Sequence, residues 1–334
     1  MPMLWNVISD VSRPISPKWK TAHRGNVRWR CAQNLGWTEA LQQQGARLAF
    51  TSDSSVITSL EFPGGDIGKI SVCGTVNDLA VGGAKPLWLS AAFIIEEGAE
   101  IALLRRIVAS MVREAEIAGM RIVTGDTKVV EMGSADGVFI TTSGVGVIAP
   151  ETELLAENIR AGDVAIANGM LGDHGAAILA ARGDMALSST IESGCQPLGD
   201  LMQAVCAAAP NLRAGRDATR GGVASALNEM ADAAGLTVRL QEEALPLRSE
   251  VKGMCEILGL DPLYLANEGT LVLFVPEAEA EAALTAMRST PAGKEAVIIG
   301  RAETQGAVPV VMDTLFGGSR IVDMLVGEQL PRIC

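Results

Sequence analysis

Five acidic residues stand in short segments rich in small and polar residues, at positions that read as loops or strand ends. Asp53 lies in Thr51-Ser52-Asp53-Ser54, and Asp78 in Val76-Asn77-Asp78-Leu79-Ala80. Asp126 lies in Thr124-Gly125-Asp126-Thr127-Lys128, Asp217 in Asp217-Ala218-Thr219-Arg220-Gly221-Gly222, and Glu268 in Asn267-Glu268-Gly269. One aspartate at a strand end is usually a cap or turn residue. Several carboxylates beside glycines suggest a hard-cation site. Mg2+ takes oxygen ligands and usually binds through one or two carboxylates plus substrate phosphates.

Two further segments could meet a phosphate. Arg220-Gly221-Gly222 opens a predicted helix, where free N–H groups and a basic neighbour favour anions. Asp217 or Thr219 could equally cap that helix, and the two roles are compatible. Phe62-Pro-Gly-Gly-Asp-Ile-Gly-Lys69 looks like a P-loop but fails the spacing test. Gly64 and Gly68 are separated by three residues where four are required, and Ile70 stands where a Ser or Thr should bind the metal. A turn feeding a helix is the better reading. Lys128 is either a cation serving Asp126 or a solvated strand-end lysine, and His174 is either functional or a helix-start residue.

The elements that must carry these residues can be read from hydrophobic periodicity. Arg47–Thr51 reads as a strand running into Asp53, Lys69–Val81 as a helix stopped by Gly82-Gly83, and Leu87–Ile95 as a buried strand. Ile101–Ala118 carries apolar residues at 101, 104, 107, 108, 111 and 112, a helical stripe, and Gly119 suits its C-terminal cap. Arg121–Gly125 reads as a short strand ending at Asp126, and Gly137–Ile148 as another strand. After Ala149-Pro150 a connecting segment, Glu151–Arg160, leads to a second unit. That unit has strands at Val164–Ala167, Leu236–Leu240, Thr270–Val275, Ala296–Gly300 and near 308–313 and 319–325. Helices start at Asp173 and cover Gly221–Ala234 and Glu277–Arg288. Strands and helices mix without strict βαβ alternation, which suggests an α+β protein.

Composition bounds the rest. The 334 residues, 48% apolar and 20% charged, suffice for a real core and about two domains. No apolar run reaches the length of a membrane span. The net charge of −12 argues against a sequence-independent nucleic-acid binder. Residues 1–47 break the pattern: they hold seven Lys/Arg against two Asp/Glu, and four of the five tryptophans fall within the first 37 residues. The six cysteines include no C-x-x-C and there are only two histidines, so a zinc site is not expected; reduced thiols in a cytoplasmic protein are. Cys334 ends the chain in Pro331-Arg332-Ile333-Cys334. It is not a prenylation box, which needs the cysteine four from the end.

Together these segments resemble the HypE family of carbamoyl dehydratases in hydrogenase maturation, within the PurM-like (aminoimidazole ribonucleotide synthetase) superfamily. The matching segments are Thr51–Ser54, Phe62–Lys69, Thr75–Ala80, Thr124–Lys128, Gly172–Gly175, Arg216–Gly222, Ala266–Gly269 and the terminal Pro-Arg-Ile-Cys. The tail is the most specific, because it separates the family from its superfamily relatives.

The resemblance implies two PurM-like domains, residues 38–150 and 151–325. The first would form a β-barrel across a homodimer, the second would be an α/β domain, and a flexible tail over 326–334 would carry the acceptor cysteine. At ~3.3 Å per residue nine residues reach roughly 30 Å, enough for Cys334 to visit an ATP site and then a partner. It also implies a reaction: a HypF carbamoyltransferase loads Cys334, ATP and Mg2+ drive dehydration of the S-carboxamide to a thiocyanate, and the cyano group passes to iron on a HypC–HypD complex. Cys334, Lys128, Glu268 and His174 are then the candidate catalytic residues. Asp53, Asn77, Asp78, Asp126, Thr127, Asp217, Arg220, Gly221 and Asn267 would bind the nucleotide, with Asp53, Asp78 and Asp126 on the metal. The rivals are another PurM-like ATP enzyme, such as a selenophosphate synthetase or thiamine-phosphate kinase, and a non-catalytic carrier of the modified cysteine.

The N-terminus departs from the family. Members open with Ala-His-Gly-x-Gly-Gly, whereas the nearest match here is Ala22-His23-Arg24-Gly25-Asn26. Residues 1 to about 37 read as a disordered terminus, as a frameshifted or misassigned start, or as a divergent extension that costs the nucleotide site one element.

Overall fold

The structure is a computed structural model that describes residues 45, 47–183, 190–327 and 332–333. The expectations for residues 1–37 and for the position of Cys334 lie outside the described residues.

The N-terminal half begins with β1 (Arg47–Ser55) and a two-stranded hairpin, β2 (Glu61–Phe62) and β3 (Gly65–Asp66). Helix α1 (Ile67–Val81) follows, capped by Asp66, whose carboxylate accepts from the Lys69 N–H at 2.9 Å. Twelve of its fifteen residues are buried, so it is a core helix and not a surface one. Then come β4 (Ala84–Glu96), α2 (Ile101–Ile117), β5 (Arg121–Val130) and β6 (Val138–Ile148). The α2 stripe buries Leu104, Ile107, Val108, Met111 and Val112, as its spacing predicts, while Ile101 is exposed.

The four long strands form one sheet in the order β1-β6-β4-β5. Both helices cover the same face. Register and alternation put Asp53, Thr142 and Ala91 on that helix-covered face. The opposite face is open and carries Leu48 and Phe50, the latter 72% exposed, with Ile94, Asp126 and Lys128.

The expected β-barrel is not formed. The sheet has four strands and two unpaired edges, β1 and β5, and no other described strand joins either edge. Closure takes about eight strands at a consistent tilt and stagger. Four strands with helices on one face make an open two-layer unit instead. The α+β class itself stands.

The C-terminal half holds β7 (Val164–Ala167), α3 (Asp173–Arg182), α4 (Gly199–Ala208), β8 (Ala214–Asp217), α5 (Gly222–Ala234) and β9 (Thr237–Gln241). It continues with α6 (Ser249–Leu258), β10 (Leu271–Val275), α7 (Ala280–Arg288), β11 (Val297–Glu303), β12 (Val310–Asp313) and β13 (Ser319–Ile321). Its sheet runs β13-β12-β9-β11-β7-β10-β8, antiparallel except for the β9–β12 pair. Strand β10, a Leu-Val-Leu-Phe-Val run between β7 and the edge strand β8, is buried throughout.

Helix α1 touches β8 and α4 of the second half as well as its own sheet. Asn77 fastens this junction. Its amide donates to the carbonyls of Gln196 (3.2 Å) and Glu268 (3.3 Å), and its oxygen accepts from the Leu198 N–H (2.8 Å).

Candidate active site

Four of the five acidic residues singled out by sequence converge where α1, β1 and β8 meet. Asp53 sits within β1 on its helix-covered face, not at its end. The site depends on Gly74 of α1: a Cβ there would lie 2.5 Å from the Asp53 carboxylate, so only glycine leaves room for it. Asp78, one turn further along α1, accepts from the Thr51 hydroxyl at 2.8 Å. Burial pushes its pKa up to about 6, and the nearby Asp217 and Asp53 charges add to that rise. Burial likewise raises Asp217, with Asp53 contributing.

Glu268 is the deepest of the four. It is buried, and its Oε1 has no hydrogen-bond partner. Burial holds its pKa well above the usual carboxylate range, reinforced by Cys195, Asp53, Asp217 and Asp78. A buried carboxylate oxygen among other carboxylates is costly unless a proton, a cation or a donor offsets it. Among the described residues no three His, Cys, Asp or Glu side chains are placed to hold a metal ion by themselves. Carboxylate oxygens are the donor type that a hard cation such as Mg2+ takes, in small number beside phosphate oxygens.

Asp126 does not join this group. It is mid-strand in β5, its register partner is Ala92, and it points to the open face. Three strand spacings, ~14 Å, separate β5 from β1, and side-chain alternation puts Asp126 and Asp53 on opposite faces. The predicted Asp53–Asp78–Asp126 metal set is thus split within one chain. Lys128 shares the open face, 67% exposed, and its ammonium pairs with Asp126 at 2.8 Å. It does not approach Glu268. Thr127 donates its backbone N–H to the Asp126 carboxylate at 2.8 Å.

Two predicted nucleotide-binding residues are occupied in holding the fold. Asn77 forms the junction described above. Asn267 accepts from the Gly172 N–H (2.8 Å) and donates to the carbonyls of Ala218 (2.9 Å) and Leu265 (3.1 Å). Gly221 takes a left-handed φ of 76° at the N-terminus of α5, and Arg220 beside it is exposed.

Buried hydrogen bonds run from Cys195, which lies within electrostatic range of Glu268, to Ile333. Cys195 neighbours Glu268, and burial together with the Cys73 thiol pushes the Cys195 thiol up. The Cys195 N–H donates to the Ser193 hydroxyl at 3.1 Å. Ser193 Oγ lies 2.8 Å from His174 Nδ1, and His174 Nε2 lies 2.8 Å from the Ile333 carbonyl. His174 is buried against Phe62 in a T-shaped contact with ring centroids 5.6 Å apart, and burial lowers its pKa to about 4.

Ile333 itself is 4% exposed, in the same core cluster as Phe62 and Ile178. The Arg332 carbonyl accepts from the Thr58 N–H (3.2 Å) and from Arg182 (2.6 Å), and the Arg332 side chain pairs with Asp136. The tail is therefore seated one peptide bond short of Cys334. Sequence reasoning missed Ser193, Arg182, Asp136 and Thr58. They lie in or beside loops without periodicity, and only the tail's return brings them together.

Family comparisons fit this architecture. Residues 37–148 match the AIR synthase related protein N-terminal domain, and residues 160–313 match its C-terminal domain. The carbamoyl dehydratase HypE of Rhodobacter capsulatus is 72% identical over 295 residues, covering 88% of this chain and 87% of that protein. A crystal structure of the hydrogenase maturation protein HypE in complex with ATP superposes with a TM-score of 0.86 at 40% identity, covering 98% of this chain and 96% of that one. The HypE of a HypE–HypF complex superposes with a TM-score of 0.80 at 45% identity, covering 83% of this chain and 90% of that one. The chain belongs to the HypE family of carbamoyl dehydratases.

Proposed function

We propose that this chain dehydrates an S-carboxamide on its own Cys334 to a thiocyanate, at the expense of ATP, and so supplies the cyanide ligand of [NiFe]-hydrogenase iron. The observation that carries the reading is the seating of Ile333 on His174, which holds the residue before Cys334 in a buried hydrogen-bonded site. Membership of the family and the ATP complex of a relative support the reaction and its nucleotide.

An amide oxygen is a poor leaving group. In the proposed reaction the carboxamide oxygen attacks the γ-phosphorus and ADP leaves, while the nitrogen loses one proton. The C–O bond then breaks, phosphate departs with the bonding pair, and the second proton leaves nitrogen as the C≡N bond forms. Both protons require a base. Glu268 is the candidate beside the carboxylate group, and its raised affinity for a proton makes it the stronger base once ionised. Asp53 and Asp78, supported by Asp217, would hold Mg2+ and the phosphates. That ion would neutralise charge on the transferring phosphoryl group.

Lys128 and Asp126 enter only through a second copy. Their face of the sheet is open and carries Phe50, Leu48 and Ile94, an apolar surface that a homodimer would cover. A partner of the HypF type would load Cys334, and a HypC–HypD complex would receive the cyano group. Among the described residues no helix is long and apolar enough to cross a membrane. The experiment is to supply carbamoylated protein with Mg-ATP and follow the mass at Cys334, with Glu268→Gln as the variant expected to stop the reaction.

A further inference from the structure

The mechanism leaves one buried group without a task. Ser193 lies in the segment between α3 and α4, buried, in an Ile-Glu-Ser-Gly-Cys stretch. Its backbone N–H donates to the Pro63 carbonyl at 2.8 Å, which ties it to the hairpin turn that follows Phe62. The approach is close: a Cβ on Gly64 would lie 2.7 Å from the Ser193 nitrogen and 2.9 Å from its oxygen.

The hydrogen bonds around its hydroxyl have one consistent assignment. The Ile333 carbonyl can only accept, so His174 Nε2 must carry a proton. A neutral ring then has a bare Nδ1, which must accept. The atom 2.8 Å from Nδ1 is the Ser193 Oγ, whose proton is the only donor in that contact. The Cys195 N–H already donates to the same oxygen at 3.1 Å, and this fills a lone pair and aims the hydroxyl proton at the ring. A charged ring would instead turn Nδ1 into a second donor facing the hydroxyl, at full burial, with a hydroxyl and a backbone carbonyl as its hydrogen-bond partners.

We propose that Ser193 is a positioning residue for the dehydration: its hydroxyl fixes His174 as the Nε2–H tautomer, and the ring thereby seats the Ile333 carbonyl and the tail end that carries Cys334. The proposal rests on the reaction proposed above. It makes His174 a tail anchor, held by Ser193, which Cys195 orients, and by the ring of Phe62. Arg182, Thr58 and Asp136 hold the preceding residue, so the seat grips two successive carbonyls and one guanidinium.

The chain has only two histidines, so a His23→Gln background leaves His174 as the sole imidazole in nitrogen-15 NMR of the full-length protein. The expected spectrum at pH 7 is a neutral ring protonated at Nε2. Ser193→Ala should give a mixed or Nδ1–H ring, faster exchange of the Thr58 amide, and dehydration slowed about five- to tenfold, the loss of one neutral hydrogen bond. Its affinity for ATP should not change, and Ser193→Thr should recover both tautomer and rate. A wild-type ring that is charged or protonated at Nδ1 overturns the proposal, without need of any variant. So does a Ser193→Ala protein with the wild-type tautomer and rate. If wild-type protein performs no dehydration, the proposed activity falls, while the tautomer and the Thr58 exchange still decide whether Ser193 seats the tail.

Discussion

His174 Nε2 and the Ile333 carbonyl oxygen are 2.8 Å apart, and this contact ties the first turn of α3 to the penultimate residue of the chain. It joins a helix of the second domain to a tail that sequence alone would leave free. Around it the Arg332 carbonyl is held by Thr58 and Arg182, and Ile333 is packed in the core.

Ile333→Ala should loosen the tail without unfolding the body. Burial of an isoleucine side chain stabilises by about 1.5–3 kcal/mol, and truncation to alanine forfeits most of that. Hydrogen exchange at the Thr58 amide, which donates to Arg332, should accelerate by on the order of tenfold or more, while amides in β10 keep their protection.

His174 should make the fold acid-sensitive. Its pKa is about 4 when folded and 6.5 in an unfolded chain, so unfolded protein binds its proton first as pH falls. Above about pH 6.5 both states are neutral and the residue contributes no pH dependence. Between 6.5 and 4 stability is lost, at up to about 1.4 kcal/mol per pH unit. His174→Gln should remove this slope from urea-denaturation midpoints measured across that window.

Asp78 has the opposite sign. Its folded pKa is raised to about 6 from 3.8, so the folded state resists ionisation and loses stability as pH rises from about 4 to 6. Asp78→Asn keeps an oxygen for the Thr51 hydroxyl and removes the charge. It should raise stability at pH 8 by about 1–2 kcal/mol, allowing for partial screening by solvent, with no gain left below about pH 4. The same change should weaken Mg-ATP binding, which isothermal titration would read.

Gly74→Ala should displace the Asp53 carboxylate, because the new methyl would stand 2.5 Å from it. Overpacking of this kind costs about 1–3 kcal/mol. Expected results are a lower melting temperature and weaker Mg-ATP binding. Gly119→Ala is a control away from the site: a Cβ there meets no atom within 4 Å, although its φ of 62° strains an alanine modestly.

Much of the fold was legible in sequence, for identifiable reasons. The α2 stripe at 104, 107, 108, 111 and 112 is a clean helical period, and β7 and β10 are short apolar runs bounded by turns. Helix α1 begins at Ile67, two residues before Lys69, because Asp66 caps it. Strands β1 and β5 run past the residues expected to end them, since the ladders continue through Asp53 and Asp126, whose side chains take opposite faces of the sheet. Helices α4 and α6 and strand β8 were missed. Strand β8, Ala-Gly-Arg-Asp, has no apolar pattern of its own and is held as a strand by pairing with β10.

At the site, the carboxylates Asp53, Asp78, Asp217 and Glu268 were found by residue type, and the structure brings them together. Asp126 and Lys128 were grouped with them because spacing along a chain does not say which face of a sheet a side chain takes. Nor does it tell a polar residue that meets a ligand from one that meets the backbone, as Asn77 and Asn267 do. The barrel expectation failed for a related reason, because the number of strands in a sheet and its closure are tertiary facts.

The central claim is most directly tested by mass spectrometry of the C-terminal peptide. Full-length protein carbamoylated at Cys334 is incubated with Mg-ATP, and the peptide mass is followed with ADP release. The peptide should lose the mass of one water for each ADP formed, and Glu268→Gln should abolish the loss. Folded, carbamoylated wild-type protein that binds Mg-ATP and keeps the full carboxamide mass would contradict the account.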